Sequence, residues 1–195
     1  MIKVAVTGAS GFLGQHLLNY LNNLPVEVVA ITRLKNTNLP KLVNGLWVEL
    51  DIQNPPENIL FLMGNPDILI HLAWQGLPNY KSLHHFESEL PAQYSFLSAL
   101  IKEGLQSVVV VGTCFEYGMQ NESLSEKLDT KPSNPYGFAK DCLRKQLEFL
   151  KIHHNFKLTW ARLFYLYGDG QSDSSIYQQL KKAIPHSEPI FNMSK

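Results

Sequence analysis

Thr7-Gly8-Ala9-Ser10-Gly11-Phe12-Leu13-Gly14 joins an apolar run at residues 2–7 to a stretch at residues 12–24. In that stretch Leu13, Leu17, Leu18 and Leu21 recur at helical spacing. The apolar run is short and continuous, as a strand covered on both faces would be. Glycines between a strand and a helix allow a tight turn, a close backbone approach and close packing of the helix on the strand. The free N–H groups and the dipole of the helix start then favour a phosphate. The spacing, G-x-x-G-x-x-G, is one residue longer in its first gap than the usual dinucleotide fingerprint. In its strand–turn–helix setting it predicts a dinucleotide site with the pyrophosphate over Gly8, Ser10, Gly11, Phe12, Leu13 and Gly14.

Outward from this turn, short apolar runs keep alternating with helical stretches. Further strands are predicted at residues 26–31, 45–50, 67–72, 107–111 and 158–163. A helical stretch over residues 83–103 stops at Gly104. Another opens at Pro135, with Asn134 as its cap, and runs to His153-His154. Between them, residues 112–134 form a long polar loop, and long loops in compact domains are usually functional or disordered. Past Gly168 the pattern weakens to one short helix at residues 176–184. The alternation predicts an α/β fold, a Rossmann-type doubly wound parallel sheet. That domain is assigned to residues 1–168, and residues 169–195 to the start of a C-terminal region.

The 195 residues carry 17 basic and 17 acidic side chains and are 45% apolar. The apolar fraction excludes intrinsic disorder. A formal charge of zero argues against nucleic acid or a polybasic attachment to membrane as partner. Cys114 and Cys142 are too few for a disulfide framework and point to a reducing compartment, the cytoplasm. The opening residues turn polar too early for a signal peptide, and no apolar run approaches the ~18 residues of a membrane span.

Three candidate groups carry chemistry. The second strand ends Ala30-Ile31-Thr32-Arg33, where an acid would hold a ribose 2′-hydroxyl. No acid is present, and Arg33 is suited to pair a 2′-phosphate, so NADP(H) is preferred with NAD(H) as the alternative. Tyr136 and Lys140 stand at i and i+4 on one helical face, where an ammonium beside a phenol would lower the phenol's pKa. Thr113 follows the valine-rich strand at its carboxyl end, the edge at which open α/β sheets bind ligands. His84-His85 with Glu87 reads as a surface cluster rather than a metal site. Cys114 and Cys142 lack metal-ligand spacing and read as small apolar residues. Trp47, Trp74 and Trp160 read as packing residues.

These segments together resemble the extended short-chain dehydrogenase/reductase superfamily, in its nucleotide-sugar epimerase/dehydratase/reductase group. The resemblance is carried by TGASGFLG at Thr7, Asp51-Ile52, HLAW at His71, GTCFEYG at Gly112, PYGFAK at Pro135 and ARLFYLYG at Ala161. It implies that Tyr136 is the catalytic acid/base, that Lys140 orients ribose and activates the tyrosine, and that Thr113 hydrogen-bonds the reacting oxygen. It also places Asp51 and Ile52 against adenine, and Leu72, Ala73 and Trp74 along the dinucleotide path.

Departures narrow the expected reaction. Dehydratases of the group carry Asp-Glu after the hydroxyl residue, where this chain has Cys114 and Phe115. Reductases that also epimerise place a cysteine two positions after it, but Cys114 follows by one. Tyr165 replaces a frequent asparagine. The expected activity is therefore hydride transfer on a nucleotide-linked 4-keto (6-deoxy) sugar in polysaccharide precursor synthesis, with a 4-epimerase as the alternative. The resemblance implies that the C-terminal substrate domain is largely absent, which leaves a cofactor-binding protein without turnover as a further alternative. One face of the helix at Pro135 carries Leu143, Leu147 and Leu150, and a second carries Phe138, Cys142 and Phe149. The second face is expected to form a homodimer interface.

Overall fold

Six strands form one parallel sheet in the computed structural model, which describes residues 1–33, 39–121 and 123–184. They are β1 (Ile2–Thr7), β2 (Val26–Thr32), β3 (Gly45–Glu49), β4 (Ile68–His71), β5 (Ser107–Thr113) and β6 (Lys157–Leu163). Their order is β3-β2-β1-β4-β5-β6. The chain reverses direction across the sheet between β1 and β4, and a crevice for a ligand forms at such a reversal. The helices are α1 (Phe12–Leu21), α2 (Ile59–Leu62), α3 (Leu90–Lys102), α4 (Pro135–His153) and α5 (Ile176–Ala183).

Alternation along the strands builds two cores. Val4 and Val6 of β1, with Val28 and Ala30 of β2, pack on Leu18 and Leu21 of α1. Ala5, Val29 and Ile31 face the other way, into a larger cluster with Phe96, Leu97 and Leu100 of α3 and Leu143, Leu147 and Leu150 of α4. Both faces of the central strands are covered, which is why their sequences read as unbroken apolar runs. Phe138 and Phe149, on the second apolar face of α4, are exposed.

Three local features differ from the sequence reading. Strand β5 extends through Gly112 and Thr113, which pair with Arg162 and Leu163 of β6, so the sheet takes the start of the polar loop. The helical stretch before Gly104 opens as a π-helical turn, His85–Glu89, ahead of α3. Pro91 accounts for that boundary, because proline lacks an N–H and fits only the first turn of a regular helix. Helix α2 has four residues, too few to show a period.

The chain divides into two compact units, Met1–Leu163 and Phe164–Lys195. The first holds the sheet with α1 to α4. In the second, the Ser175 hydroxyl caps α5 by accepting from the Gln178 N–H. Residues 185–195 of the expected C-terminal region, and Glu122 of the polar loop, lie outside the described residues. Among the described residues no helix is long and apolar enough to cross a membrane.

Candidate active site

A cavity of about 260 Å³ lies at the carboxyl ends of β1 to β4. Gly8, Ser10 and Gly11 line it from the turn after β1, and Thr32 and Arg33 from the end of β2. Ile52 and Gln53 follow β3, and Leu72, Ala73, Trp74 and Gln75 follow β4. The local geometry explains the glycines. Gly8 has φ +67°, and a Cβ there would stand 2.9 Å from the Ala73 backbone nitrogen. A Cβ on Gly14 would stand 2.3 Å from the Gly8 carbonyl oxygen, so Gly14 serves the contact of α1 with the turn. No side chain caps α1, and its first turn carries no acid, so its N–H groups face the cavity end without a built-in anion.

Some expected cofactor residues lie off the cavity wall. Phe12 sets its ring edge-on against His16, Leu13 is half-buried and Gly14 is buried. The Asp51 carboxylate accepts from the Gln53 N–H and from the Asn54 side chain, closing its own turn. Arg33, which does line the cavity, is exposed at its rim.

Thr113, Tyr136 and Lys140 come together beyond the Trp74 end of the cavity. Asn134 caps α4 by accepting from the Gly137 N–H, and Gly137 lets the helix approach Phe115, whose carbonyl oxygen would lie 2.7 Å from a Cβ. This places Tyr136 within hydrogen-bond reach of Thr113. The tyrosine ring is ringed by Trp74, Tyr80, His85 and Phe115, with centroids 5.3 to 6.3 Å away. Lys140, 1% exposed, donates from Nζ to the Val111 carbonyl at 2.9 Å. The same ammonium sits 4.1 Å above the Trp74 ring. Trp74 therefore touches both the cavity and the buried pair.

Electrostatics in this corner run against one sequence expectation. Lys140 was expected to lower the tyrosine pKa. Instead burial, with Tyr80 nearby, holds the Tyr136 phenol well above its ordinary value, and the Thr113 hydrogen bond opposes this only in part. Burial also pulls Lys140 down to about 7, against the attraction of Glu116 and Glu89. Desolvation outweighs pairing for both groups.

The sequence reading missed a polar chain on the cavity floor. Glu89, fully buried, accepts from the Gln53 and Gln93 amides and from the Gln75 N–H. With its nitrogen committed to Glu89, Gln93 presents its oxygen to His71 Nε2 at 2.6 Å. His71 Nε2 is thereby the donor, and Nδ1 accepts from the Thr7 hydroxyl. Burial holds His71 neutral, with its pKa down at about 3. His85 corrects another expectation, that of a surface cluster: it is fully buried, accepts from Trp74 Nε1 and meets the Asn79 carbonyl through Nε2. Among the described residues no group of three acidic, histidine or cysteine side chains is placed to hold a metal.

The NAD dependent epimerase/dehydratase family matches residues 4–194. The chain belongs to that family. Among curated proteins, the dTDP-6-deoxy-L-talose 4-dehydrogenase (NAD(+)) of Aggregatibacter actinomycetemcomitans is 27% identical over 99% of this chain and 72% of its own length. An uncharacterized UDP-glucose epimerase of Bacillus subtilis, YtcB, is 27% identical over 97% of this chain and 64% of its own. The structure of MoeE5 in complex with UDP-glucuronic acid and NAD superposes with a TM-score of 0.79 at 28% identity. That match covers 93% of this chain and 60% of MoeE5, so the chain spans about three fifths of that structure.

Proposed function

We propose that this chain carries the NAD(P)-binding and catalytic centre of an oxidoreductase acting on a nucleotide-linked 4-keto (6-deoxy) sugar. The observation that carries the reading is the convergence of Thr113, Tyr136 and Lys140 at the Trp74 end of a cavity that starts at Gly8 and Gly11. In this reading the dinucleotide lies along the cavity with its pyrophosphate at the α1 N-terminus. Ile52 and Asp51 are assigned to the adenine end, and Leu72, Ala73 and Trp74 to the path toward nicotinamide. Arg33 at the rim supports a 2′-phosphate and hence NADP(H), while the relatives whose names state a cofactor use NAD.

The bound dinucleotide supplies the hydride. Tyr136 hands its phenolic proton to the sugar C4 oxygen as the ketone becomes an alcohol, and Thr113 donates a hydrogen bond to the same oxygen. Lys140 holds ribose and places positive charge near the phenol. The raised Tyr136 pKa favours the reducing direction, because burial keeps the phenol protonated and ready to act as an acid. That direction favours a reductase over a 4-epimerase, which must also take a proton from an alcohol. A homodimer through the exposed Phe138 and Phe149 face of α4, and a reducing cytoplasmic location with Cys114 and Cys142 both free, belong to the same reading.

The test mixes the protein with NADPH or NADH and a dTDP-linked 4-keto-6-deoxyhexose and follows loss of reduced nicotinamide. Tyr136→Phe is expected to abolish turnover and spare dinucleotide affinity. Thr113→Val is expected to slow it about a hundredfold, the scale of one lost oxyanion donor. Full turnover in Tyr136→Phe would overturn the assignment.

A further inference from the structure

Glu116 lies in a single 3-10 turn, Cys114–Glu116, directly after β5, and is fully buried. Its carboxylate serves three donors. Oε1 accepts from the Thr113 N–H at 2.8 Å, both oxygens lie 3.0 Å from Trp160 Nε1, and Oε2 accepts from Arg162 Nε at 2.6 Å. Arg162 is itself held, donating to the Tyr117 hydroxyl at 3.1 Å with its guanidinium 4.6 Å from the Tyr117 ring. Gly112 leaves the space for this, since a Cβ there would stand 2.4 Å from Glu116 Oε1 and 2.2 Å from Trp160 Nε1. Burying an ion pair gives little net stability compared with an apolar pair of the same volume. What this pair does supply is a fixed position for one residue, Thr113, whose hydroxyl accepts from the Phe115 N–H and meets Tyr136.

We propose that Glu116 is a positioning residue: anchored on β6 through Arg162 and Trp160, it fixes the Thr113 backbone so that the hydroxyl meets Tyr136 and the substrate oxygen. This rests on the reading of Thr113, Tyr136 and Lys140 as the catalytic group. The same carboxylate has an electrostatic effect. It is the leading attraction holding Lys140 in its ammonium form, ahead of Glu89, while His71 is neutral beside it. Glu116 also opposes ionisation of Tyr136, as do Tyr80 and Cys114.

Glu116→Gln is the informative change. An amide has one acceptor oxygen where the carboxylate serves three donors, and its NH2 group would face Arg162. Turnover is compared in wild type, Thr113→Val, Glu116→Gln and the double variant, with folding checked by circular dichroism. Glu116→Gln is expected to lower kcat roughly tenfold or more, with KM within about twofold, because the loss falls on the transition state. In the Thr113→Val background it should add little, the signature of two residues acting as one unit. An equal loss in both backgrounds would overturn the proposal.

A second measurement does not need turnover. The pH dependence of NAD+ affinity, read by calorimetry, should show a transition from Lys140 whose midpoint moves lower in Glu116→Gln. An unmoved midpoint, in a protein whose transition Lys140→Met abolishes, would overturn the electrostatic effect of Glu116 on Lys140 while leaving the catalytic reading intact. A transition that survives Lys140→Met would overturn the lysine assignment and the proposal with it. Absence of turnover in wild type, with the midpoint shift present, would overturn the assigned reaction and support only the attraction of Glu116 for Lys140.

Discussion

Replacing Lys140 with methionine should stabilise the fold at low pH. In the unfolded chain the amine has its ordinary pKa of 10.5, and in the fold burial lowers it to about 7. At about 1.4 kcal/mol per unit, holding this residue as a buried ammonium costs on the order of 5 kcal/mol. That is comparable with the whole stability of many domains, ~5–15 kcal/mol. Between pH 7 and 10.5 the unfolded chain binds a proton that the folded chain does not, so stability rises with pH across that window. Below pH 7 the cost is fully present, and above 10.5 it is gone. Methionine keeps all but the last atom of the side chain's length and a favourable contact with the Trp74 ring. It leaves the Val111 carbonyl without its donor, a loss of ~1–3 kcal/mol. The variant should therefore exceed wild type by about 2–4 kcal/mol near neutral pH and fall below it near the top of the window. Urea unfolding of both proteins across about pH 6 to 10 reads this directly. A stability difference independent of pH, or a methionine variant weaker throughout, would show that Lys140 is not held as a costly buried ammonium. Dinucleotide affinity should fall in the same variant, since a residue that costs stability and binds ligand trades one against the other.

The two glycines of the first turn should separate fold from binding. Gly14→Ala drives a Cβ against the Gly8 carbonyl and should lower the melting temperature. Gly11→Val, on the exposed cavity wall, should weaken dinucleotide binding in calorimetry with little loss of stability. Arg33→Ala should cost roughly tenfold to a hundredfold in NADPH affinity, the worth of a charge-assisted hydrogen bond, and leave NADH affinity nearly unchanged. Equal effects on both would remove the 2′-phosphate assignment. If the proposed dimer forms through α4, Phe149→Glu, at a position 70% exposed, should shift it to monomer in sedimentation without altering the melting temperature.

The sheet was legible because its strands are apolar on both faces and its turns carry glycine, proline and asparagine where the backbone requires them. β1 has its predicted bounds, and the cap at Asn134 starts α4 as read. The ends of β5 and α3 were less legible. Pairing with β6 draws Gly112 and Thr113 into the sheet, and Pro91 forces a change of helical pitch, and both effects depend on neighbours in space. Thr113, Tyr136 and Lys140 could be named from type and spacing, but not their electrostatics. Burial, which no local pattern reports, sets both pKa directions. Glu116 and Arg162 lay inside segments already singled out, the acid in the loop after one predicted strand and the base within another. Their 46-residue separation hides the pair until the parallel register of β5 and β6 brings them together. Glu89 carried a weaker signal, since it shares the start of its helical stretch with a second acid, Glu87.

In the proposed complex a dinucleotide runs from the Gly8–Gly11 turn past Trp74 to Tyr136. A crystal structure of the protein soaked with NADPH tests it most directly. The pyrophosphate should lie on the backbone N–H groups at the start of α1, the ribose of the nicotinamide half within hydrogen-bond reach of Lys140 Nζ, and the nicotinamide beside the Tyr136 hydroxyl. A dinucleotide bound elsewhere, or one in this cavity with its adenine end at Trp74 and its nicotinamide near Arg33, would contradict the account.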